Sequence, residues 1–497
     1  MSRTIMNLEE SRELEARCAV RMGLDTLMRR AGTFAAKWLD ERLPCPHVTV
    51  LAGPGNNGGD AIVCACELKR LGHTVQLVMP GGEPKTELAR EMLADWIALG
   101  GTVISDPYMT EKADAVVDGL FGTGLKRPIT GDYLDAILWF NERQCFRLAL
   151  DVPSGLHSET GHWVGTMPGV TADATVTFLS AKSGLYMNEG VDAAGAVVVS
   201  ELDVSVPLTR LGLIEYSDFD HICQPRPKFS HKGTFGHVAV VGGAEGHIGA
   251  ALLSARAALR MGAGTVTVEL LTPNAMMVDP VAPELMFSST PLDFSRFTAA
   301  VIGPGLGQSA AAKAGNHSAP AKARLKSALA SNIPLVLDAD ALNLIAGDKA
   351  LLTTLLHRTV ATVLTPHEAE GARLLKVTPQ IIQSDRVNAV RDIALQTGAI
   401  TVLKGPGTLI AMRSSRTWLS PYATASLATA GSGDVLSGMI ASFLGQRYDT
   451  VESVLGAVML HGYAGKERVA GLTASEIASI AVEPLETYRR TNARPYW

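Results

Sequence analysis

The sequence predicts an α/β protein of two domains, each built on a largely parallel sheet. Three observations carry this expectation. The chain has 497 residues, room for two or three domains at about 100–200 residues each. Short apolar runs alternate with helical stretches through most of its length, the pattern of βαβ units. A strand, a Gly-rich turn and a helix also open each half, at HVTVLAG (47–53) and HVAVVGG (237–243).

Residues 8–40, rich in Leu, Ala, Glu and Arg, read as helix. HVTVLAG then reads as a buried strand, followed by a Gly-rich turn and a helix over about 60–71. Further strands are predicted at VQLVMP (75–80), AVVDGL (115–120) and FRLALDVPSG (146–155). In the second half HVAVVGG leads into an Ala-rich helix ending near Gly262. AAVIGPG (299–305), IPLVLDAD (333–340), TVLTPHEAE (362–370) and AITVLKGPG (399–407) follow. Each is an apolar strand ending in Gly, Pro or a polar residue, and carboxyl ends of strands are where open α/β sheets bind ligands. The mixed stretch 207–236 separates the two runs. It places a boundary near 222, giving domains 1–221 and 222–497.

Composition narrows the function. A net charge of -5 and 5% aromatics favour neither nucleic acid nor an anionic membrane surface. No apolar run is long enough to span a bilayer, and the charged N-terminus lacks a secretory h-region. The six cysteines fit no zinc spacing, and none lies beyond Cys223, which points to a reducing, cytoplasmic setting. Cys64 and Cys66 read as fillers of a helix. Symmetric homo-oligomers are common among such α/β enzymes.

In the front half, GPGNNGGD (53–60) follows a strand and opens a helix. Its glycines allow close backbone approach and positive φ, and a helix start suits a phosphate. An ordinary tight turn would explain the glycines alone; it would not require Asn56, Asn57 or Asp60. DGLFGTGLKRP (118–128) places Asp118 at a strand end, with Lys126 and Arg127 able to hold phosphate. A solvated loop is the plain alternative for that basic pair. DVPSGL (151–156) puts Asp151 at a third strand end, where a structural cap would otherwise suffice.

In the rear half, TAGSGDVLSGMIASFLG (429–445) sets a small-residue turn before a long helix. The N–H groups of Ser432 and Gly433 would form an anion hole, with Asp434 in the first turn as a general base. A first-turn Asp that only complements the helix dipole is the competing explanation. LKGPGTLI (403–410) is either a phosphate-holding loop or a hairpin turn. His367 in TPHEAE is either a ligand-facing group or a helix cap. GPGLG (303–307) is a bare glycine turn.

Taken in order, GPGNNGGD, DGLFGTGLKRP and DVPSGL resemble the motifs of the NAD(P)H-hydrate epimerase family, over residues 10–216. That resemblance implies a Rossmann-like α/β/α fold with a potassium ion beside the substrate. It implies that Asn56, Asn57, Gly58, Gly59, Asp60, Gly122, Thr123, Gly124, Leu125, Lys126, Arg127, Pro128 and Asp151 contact the hydrated nucleotide. Asp151 would be its acid/base group, and Asn57, Asp118 and Ser154 would hold potassium through oxygen.

GPGLG, DADALN (338–343), TPHEAE, LKGPGT and AGSGDVLSG resemble the ribokinase-like superfamily, and within it the ADP- or ATP-dependent NAD(P)H-hydrate dehydratases, over residues 225–490. The resemblance implies a ribokinase-like α/β/α fold. Lys404, Gly405, Pro406, Gly407, Thr408 and Gly433 would bind the adenine nucleotide, expected to be ADP. Ala257, Gly305, His367 and Asp434 would face the hydrate, with Asp434 catalytic, and Mg2+ is implied by phosphoryl transfer. The expected substrates are NADHX and NADPHX. A kinase for a small hydroxylated metabolite would share the Gly-Asp anion hole but leave the front motifs unused. A nucleotide-sensing module would need no catalytic Asp.

Overall fold

The computed structural model describes residues 4–43, 47–273, 275–307, 318–413, 416–468 and 470–491. The chain forms two compact units that divide between Leu211 and Gly212. The division falls ahead of the expected 222 for a packing reason. Ile214, Phe219, Ile222 and Cys223 are buried in the rear core, and Ile214 N–H donates to Leu419 O at 3.0 Å.

After β1 (Thr4–Ile5), the front unit contains β2 (His47–Ala52), β3 (Thr74–Val78), β4 (Val103–Ile104), β5 (Ala115–Gly119), β6 (Phe146–Leu150), β7 (Ala174–Phe178) and β8 (Ala196–Ser200). From β2 on they form one sheet in the order β4-β3-β2-β5-β6-β7-β8, parallel throughout. β2 and β5 are buried almost throughout because helices cover both faces of such a sheet. The strand order reverses between β2 and β5, so a crevice opens at their carboxyl ends.

Two local expectations change. The 8–40 stretch is two helices, Leu8–Met22 and Leu24–Arg42, broken at Gly23 with φ +87°. The next helix starts at Asn56, ahead of the expected 60, so Asn56–Asp60 form its first turn. Gly58 and Gly59 are therefore not positive-φ turn residues. They are small because neighbours are close: a Cβ on Gly58 would lie 2.0 Å from Gly53 O, and one on Gly59 2.5 Å from the Met28 sulfur. Cys64 and Cys66 are buried in this helix and carry no disulfide, as fillers should.

The rear unit contains β9 (Leu211–Leu213), β10 (His237–Gly242), β11 (Thr265–Leu270), β12 (Met286–Phe287), β13 (Ala299–Ile302), β14 (Leu335–Leu337), β15 (Thr362–Leu364), β16 (Ile400–Leu403), β17 (Leu409–Ala411) and β18 (Thr417–Leu419). Their order is β9-β18-β17-β16-β15-β14-β13-β10-β11-β12. Strands from β10 to β16 pair in parallel, and β16-β17-β18 run antiparallel. LKGPGT is thus the hairpin connection between β16 and β17. Helices Ile248–Arg260 and Ser432–Gly445 pack against the sheet's central strands in one apolar cluster. Among the described residues no helix is long and apolar enough to cross a membrane.

Candidate functional sites

The front crevice is a cavity of about 680 Å³. Asn56, Asn57, Asp60, Gly122–Arg127 and Asp151 line it, with Lys126 and Arg127 exposed. Gly58, Gly59 and Pro128 do not line it; the two glycines serve packing behind the helix start. Motif reading did not single out two contributors. The N-terminal helices wall the cavity with Arg12, Glu15, Leu27 and Met28, and Lys182 reaches it from the segment after β7.

Lys182 is 5% exposed. Its Nζ lies 2.8 Å from Asp151 Oδ1 and donates to Phe178 O at 2.6 Å. Asp151 has φ +64°, a left-handed conformation that costs a non-glycine residue about 1–3 kcal/mol. Its N–H donates to Val176 O at 2.7 Å, and Thr123 N–H donates to Oδ2 at 3.3 Å. The strain aims a carboxylate into the cavity from an otherwise buried turn. Burial raises the Asp60 carboxyl well above the usual range, and the Asp151 and Glu15 charges raise it further against the pull of Lys182. Glu15 is raised by desolvation and by Asp151. A lysine cannot be picked out by motif when it acts through a fold-dependent ion pair.

Asp118 and Ser154 lie behind the cavity wall, both wholly buried. Ser154 donates to Asp118 twice, from Oγ at 2.7 Å and from N at 2.8 Å, and Leu120 N–H donates at 3.1 Å. Burial outweighs these bonds and lifts the Asp118 carboxyl to about 6. Asn57 Nδ2 donates to Leu150 O at 3.3 Å, while its buried Oδ1 has no hydrogen-bond partner.

In the rear unit the carboxyl ends of the strands gather charge. Lys404 Nζ lies 3.0 Å from Asp338 Oδ1. Burial alone would lower the Lys404 ammonium, but Asp338, Glu370 and Asp434 hold it above its ordinary value. A Cβ on Gly433 would lie 3.0 Å from Lys404 Nζ, so the lysine sits directly against the start of helix Ser432–Gly445. Asp434, in that first turn, is raised to about 7 by burial, then by Asp338 against the pull of Lys404.

The anion hole differs in one detail from expectation. Ser432 N–H donates to Thr429 O at 3.3 Å, so the helix start offers the N–H groups of Gly433 and Asp434. His461 is 8% exposed, and its Nε2 donates to Ser432 O at 3.0 Å. Burial lowers this imidazole to about 4, keeping it neutral.

His367 is the N-cap of helix Glu368–Leu375. Its Nδ1 accepts from Ala369 N–H at 3.1 Å, and its own N–H donates to Glu370 Oε2 at 2.9 Å. Its ring is lowered by desolvation and by Lys404, which sets it near the cluster as well as capping the helix. Gly305, with φ +60°, packs on His247 and Ala250. The adjoining Gly307 N–H donates to Asp340 Oδ2 at 2.8 Å, tying the glycine turn to DADALN. Gly405–Thr408 form the β16–β17 connection beside Lys404. Ala257 is 2% exposed in helix Ile248–Arg260, one turn past Leu253. Asp338 and Asp340 were legible only as part of a motif, without roles.

Comparison with known proteins agrees with this division. The family described as NAD(P)H-hydrate dehydratase matches residues 238–482, and the YjeF-related protein N-terminus matches 24–184. A bifunctional NAD(P)H-hydrate repair enzyme of Coxiella burnetii is 35% identical, covering 91% of this chain and 92% of that one. Its counterpart in Gloeobacter violaceus is 36% identical, covering 93% of each. An ADP/ATP-dependent NAD(P)H-hydrate dehydratase structure from Bacillus subtilis, co-crystallised with ATP and Mg2+, is 27% identical over 56% of this chain and 98% of its own, with a TM-score of 0.45. With both family models matched in order, and with relatives at 35–36% identity over more than 90% of both chains, the chain belongs to the family of bifunctional NAD(P)H-hydrate repair enzymes.

Proposed function

We propose that the front unit interconverts (R)- and (S)-NAD(P)HX, and that the rear unit dehydrates (S)-NAD(P)HX at the expense of ADP. In the rear reaction a phosphoryl group of ADP passes to the hydrate's hydroxyl, leaving AMP. Phosphate then departs and the nicotinamide ring regains its double bond. Asp434 accepts the hydroxyl proton as that oxygen attacks. The N–H groups of Gly433 and Asp434 and the Lys404 ammonium meet the transferred charge. Gly405–Thr408 hold the nucleotide, and Gly305 and His367 border the hydrate. Ala257 keeps only a packing role in this reading.

The observation that carries the proposal is Asp434: a carboxyl tuned to about 7, one residue from the backbone that faces Lys404. A base so tuned suits proton transfer near neutral pH. Asp338, Asp340 and Glu370 outnumber the one lysine here, and their hard oxygens suit Mg2+, which would neutralise phosphate charge. The cluster of carboxylates also sets this site apart from a general anion-binding module.

In the front unit, Asp151 serves as acid/base at the hydrated ring carbon, its charge steadied by Lys182. The cavity's exposed Lys126 and Arg127 take the nucleotide phosphates. Asn57 Oδ1, lacking a partner, and the buried Asp118 carboxylate fit a potassium ion, with Ser154 orienting Asp118. Free buried cysteines accord with a cytoplasmic enzyme. The test is incubation with an (R,S)-NADHX mixture and ADP in potassium buffer. NADH absorbance should recover fully. Recovery of only one epimer would remove the epimerase assignment, and none with ADP or ATP would remove the dehydratase assignment.

A further inference from the structure

Arg386 has no part in the chemistry above, yet its surroundings are unusual. Its side chain is 0% exposed at the start of helix Arg386–Thr397, which Asp385 caps. Nη1 donates to Glu368 Oε1 at 2.5 Å. Nη2 donates to Gly407 O at 3.0 Å and Lys404 O at 3.5 Å. Glu368 directly follows His367, and its other carboxylate oxygen accepts from Gln383 at 2.7 Å. One guanidinium therefore touches the TPHEAE helix and both sides of the 404–407 turn.

The turn is draped on this group. Gly405 has φ +141°, and a Cβ there would lie 2.4 Å from Arg386 Nη1. Lys404 N–H also donates to Pro366 O at 2.8 Å, so the backbones of the two motifs meet beside the guanidinium. Burying a charged pair contributes little stability over apolar packing. What a planar fork does contribute is direction: two fixed sets of donors, one for a carboxylate and one for carbonyls.

We infer that Arg386 is the positioning residue of the Lys404–Thr408 loop, and that through Glu368 it locks this loop to the His367 helix. This rests on reading 404–408 as the nucleotide loop. It assigns to one side chain the common geometry of the nucleotide side and the hydrate side. The loop's two short strands alone would leave its glycines free to take several conformations, and an unordered loop binds more weakly by the entropy of ordering it.

The test uses the full chain, with ADP binding by calorimetry and steady-state dehydration of NADHX. Arg386→Lys retains the charge but not the fork, so it should weaken ADP binding by about tenfold. KM for ADP should rise more than kcat falls, with epimerase activity unchanged on the same preparation. Glu368→Gln leaves Arg386 in place and should shift ADP affinity in the same direction by less. The double variant should be no worse than Arg386→Lys alone, since both act through one contact. If Arg386→Lys folds poorly, Glu368→Gln carries the test. Gly407→Val, which strains the loop directly, is the control. Normal ADP affinity in Arg386→Lys and Glu368→Gln, with weakened binding in Gly407→Val, overturns the inference. Normal affinity in Gly407→Val as well overturns the nucleotide-loop reading beneath it.

Discussion

In the front unit Asp118 is wholly buried and neutralised only by hydrogen bonds from Ser154 and Leu120. In the rear unit Asp338, equally buried, has the Lys404 ammonium 3.0 Å away. Both sites hold a raised carboxyl, in different settings. Asp118 rises to about 6 because burial outweighs its hydrogen bonds, and the Asn57 amide oxygen at the same cavity has no hydrogen-bond partner. The rear site supplies its own cation and surrounds it with further carboxylates; burial and then Asp338 lift Asp434 to about 7 against the pull of Lys404. The proposed reading gives the front site a bound potassium ion. In the same reading the rear site uses its fixed ammonium to hold Asp434 as a base, and needs further positive charge as phosphate arrives.

The largest effect that would sharpen this contrast is at Asp434. Asp434→Asn should lower dehydration by about 10²–10⁴-fold, the usual cost of a lost positioned base, while epimerisation and ADP binding persist. Stability separates this from a capping role. A carboxyl whose folded value is raised from 3.8 to about 7 contributes stability only while protonated. That contribution is complete below about 4 and lost as pH rises through 7. The Asn variant should therefore melt higher than the parent at pH 8, where the parent's Asp434 is ionised beside Asp338. A first-turn carboxylate kept for the helix dipole predicts the reverse, lower melting with near-normal turnover. Calorimetry and turnover on one preparation decide between them.

Much of this contrast was legible in the sequence, though unevenly. Strand ends loaded with Asn, Asp and Gly announce both crevices because a parallel sheet delivers its carboxyl ends to one edge. Asp118 with Ser154 and Asp434 with its glycines could be read for that reason. Lys182, Glu15, Arg386 and His461 could not. Each reaches its site from a helix or a connecting segment of ordinary composition, and only folding supplies the partner: Asp151, the cavity, Gly407 and the Ser432 carbonyl. The glycines of GPGNNGGD show a subtler gap. Their presence was readable, but whether a glycine provides positive φ or clearance depends on a neighbour such as Met28, distant in sequence. The boundary shifted for the same reason, since Phe219 declares its unit only by what it packs against.

A second, smaller effect tests the proposed potassium ion. Asp118→Asn removes the charge while keeping the shape, and should weaken potassium dependence and epimerisation by about 10–100-fold, leaving dehydration of (S)-NADHX intact. In potassium-free buffer the parent's front unit should lose stability as pH rises from about 4 through 6, because the raised Asp118 carboxyl is being ionised without a partner. Added potassium should restore the loss, and the Asn variant should show neither effect. Equal loss of both activities would mean that the two sites are not separate.

The smallest effect concerns the front cluster's excess of negative charge. Asp60, Asp151 and Glu15 share one ammonium, Lys182, and Asp60 and Glu15 are raised, Asp60 by burial and then by both neighbours. Glu15 is the outermost of the three, on the N-terminal helix and exposed, so solvent screens much of its interaction. Glu15→Gln should accordingly raise the melting temperature of the front unit by only about 1–3 °C at pH 8. The sign follows from the raised carboxyls: relief is felt where they are ionised and vanishes near pH 4, where they are protonated in both proteins. A gain that persists at pH 4 would trace to helix propensity rather than charge. A loss of stability at pH 8 would show that Glu15 is bound to a cation in the folded protein. In that case the pull of Arg12 and Lys182 on Glu15 would outweigh the repulsion from Asp151.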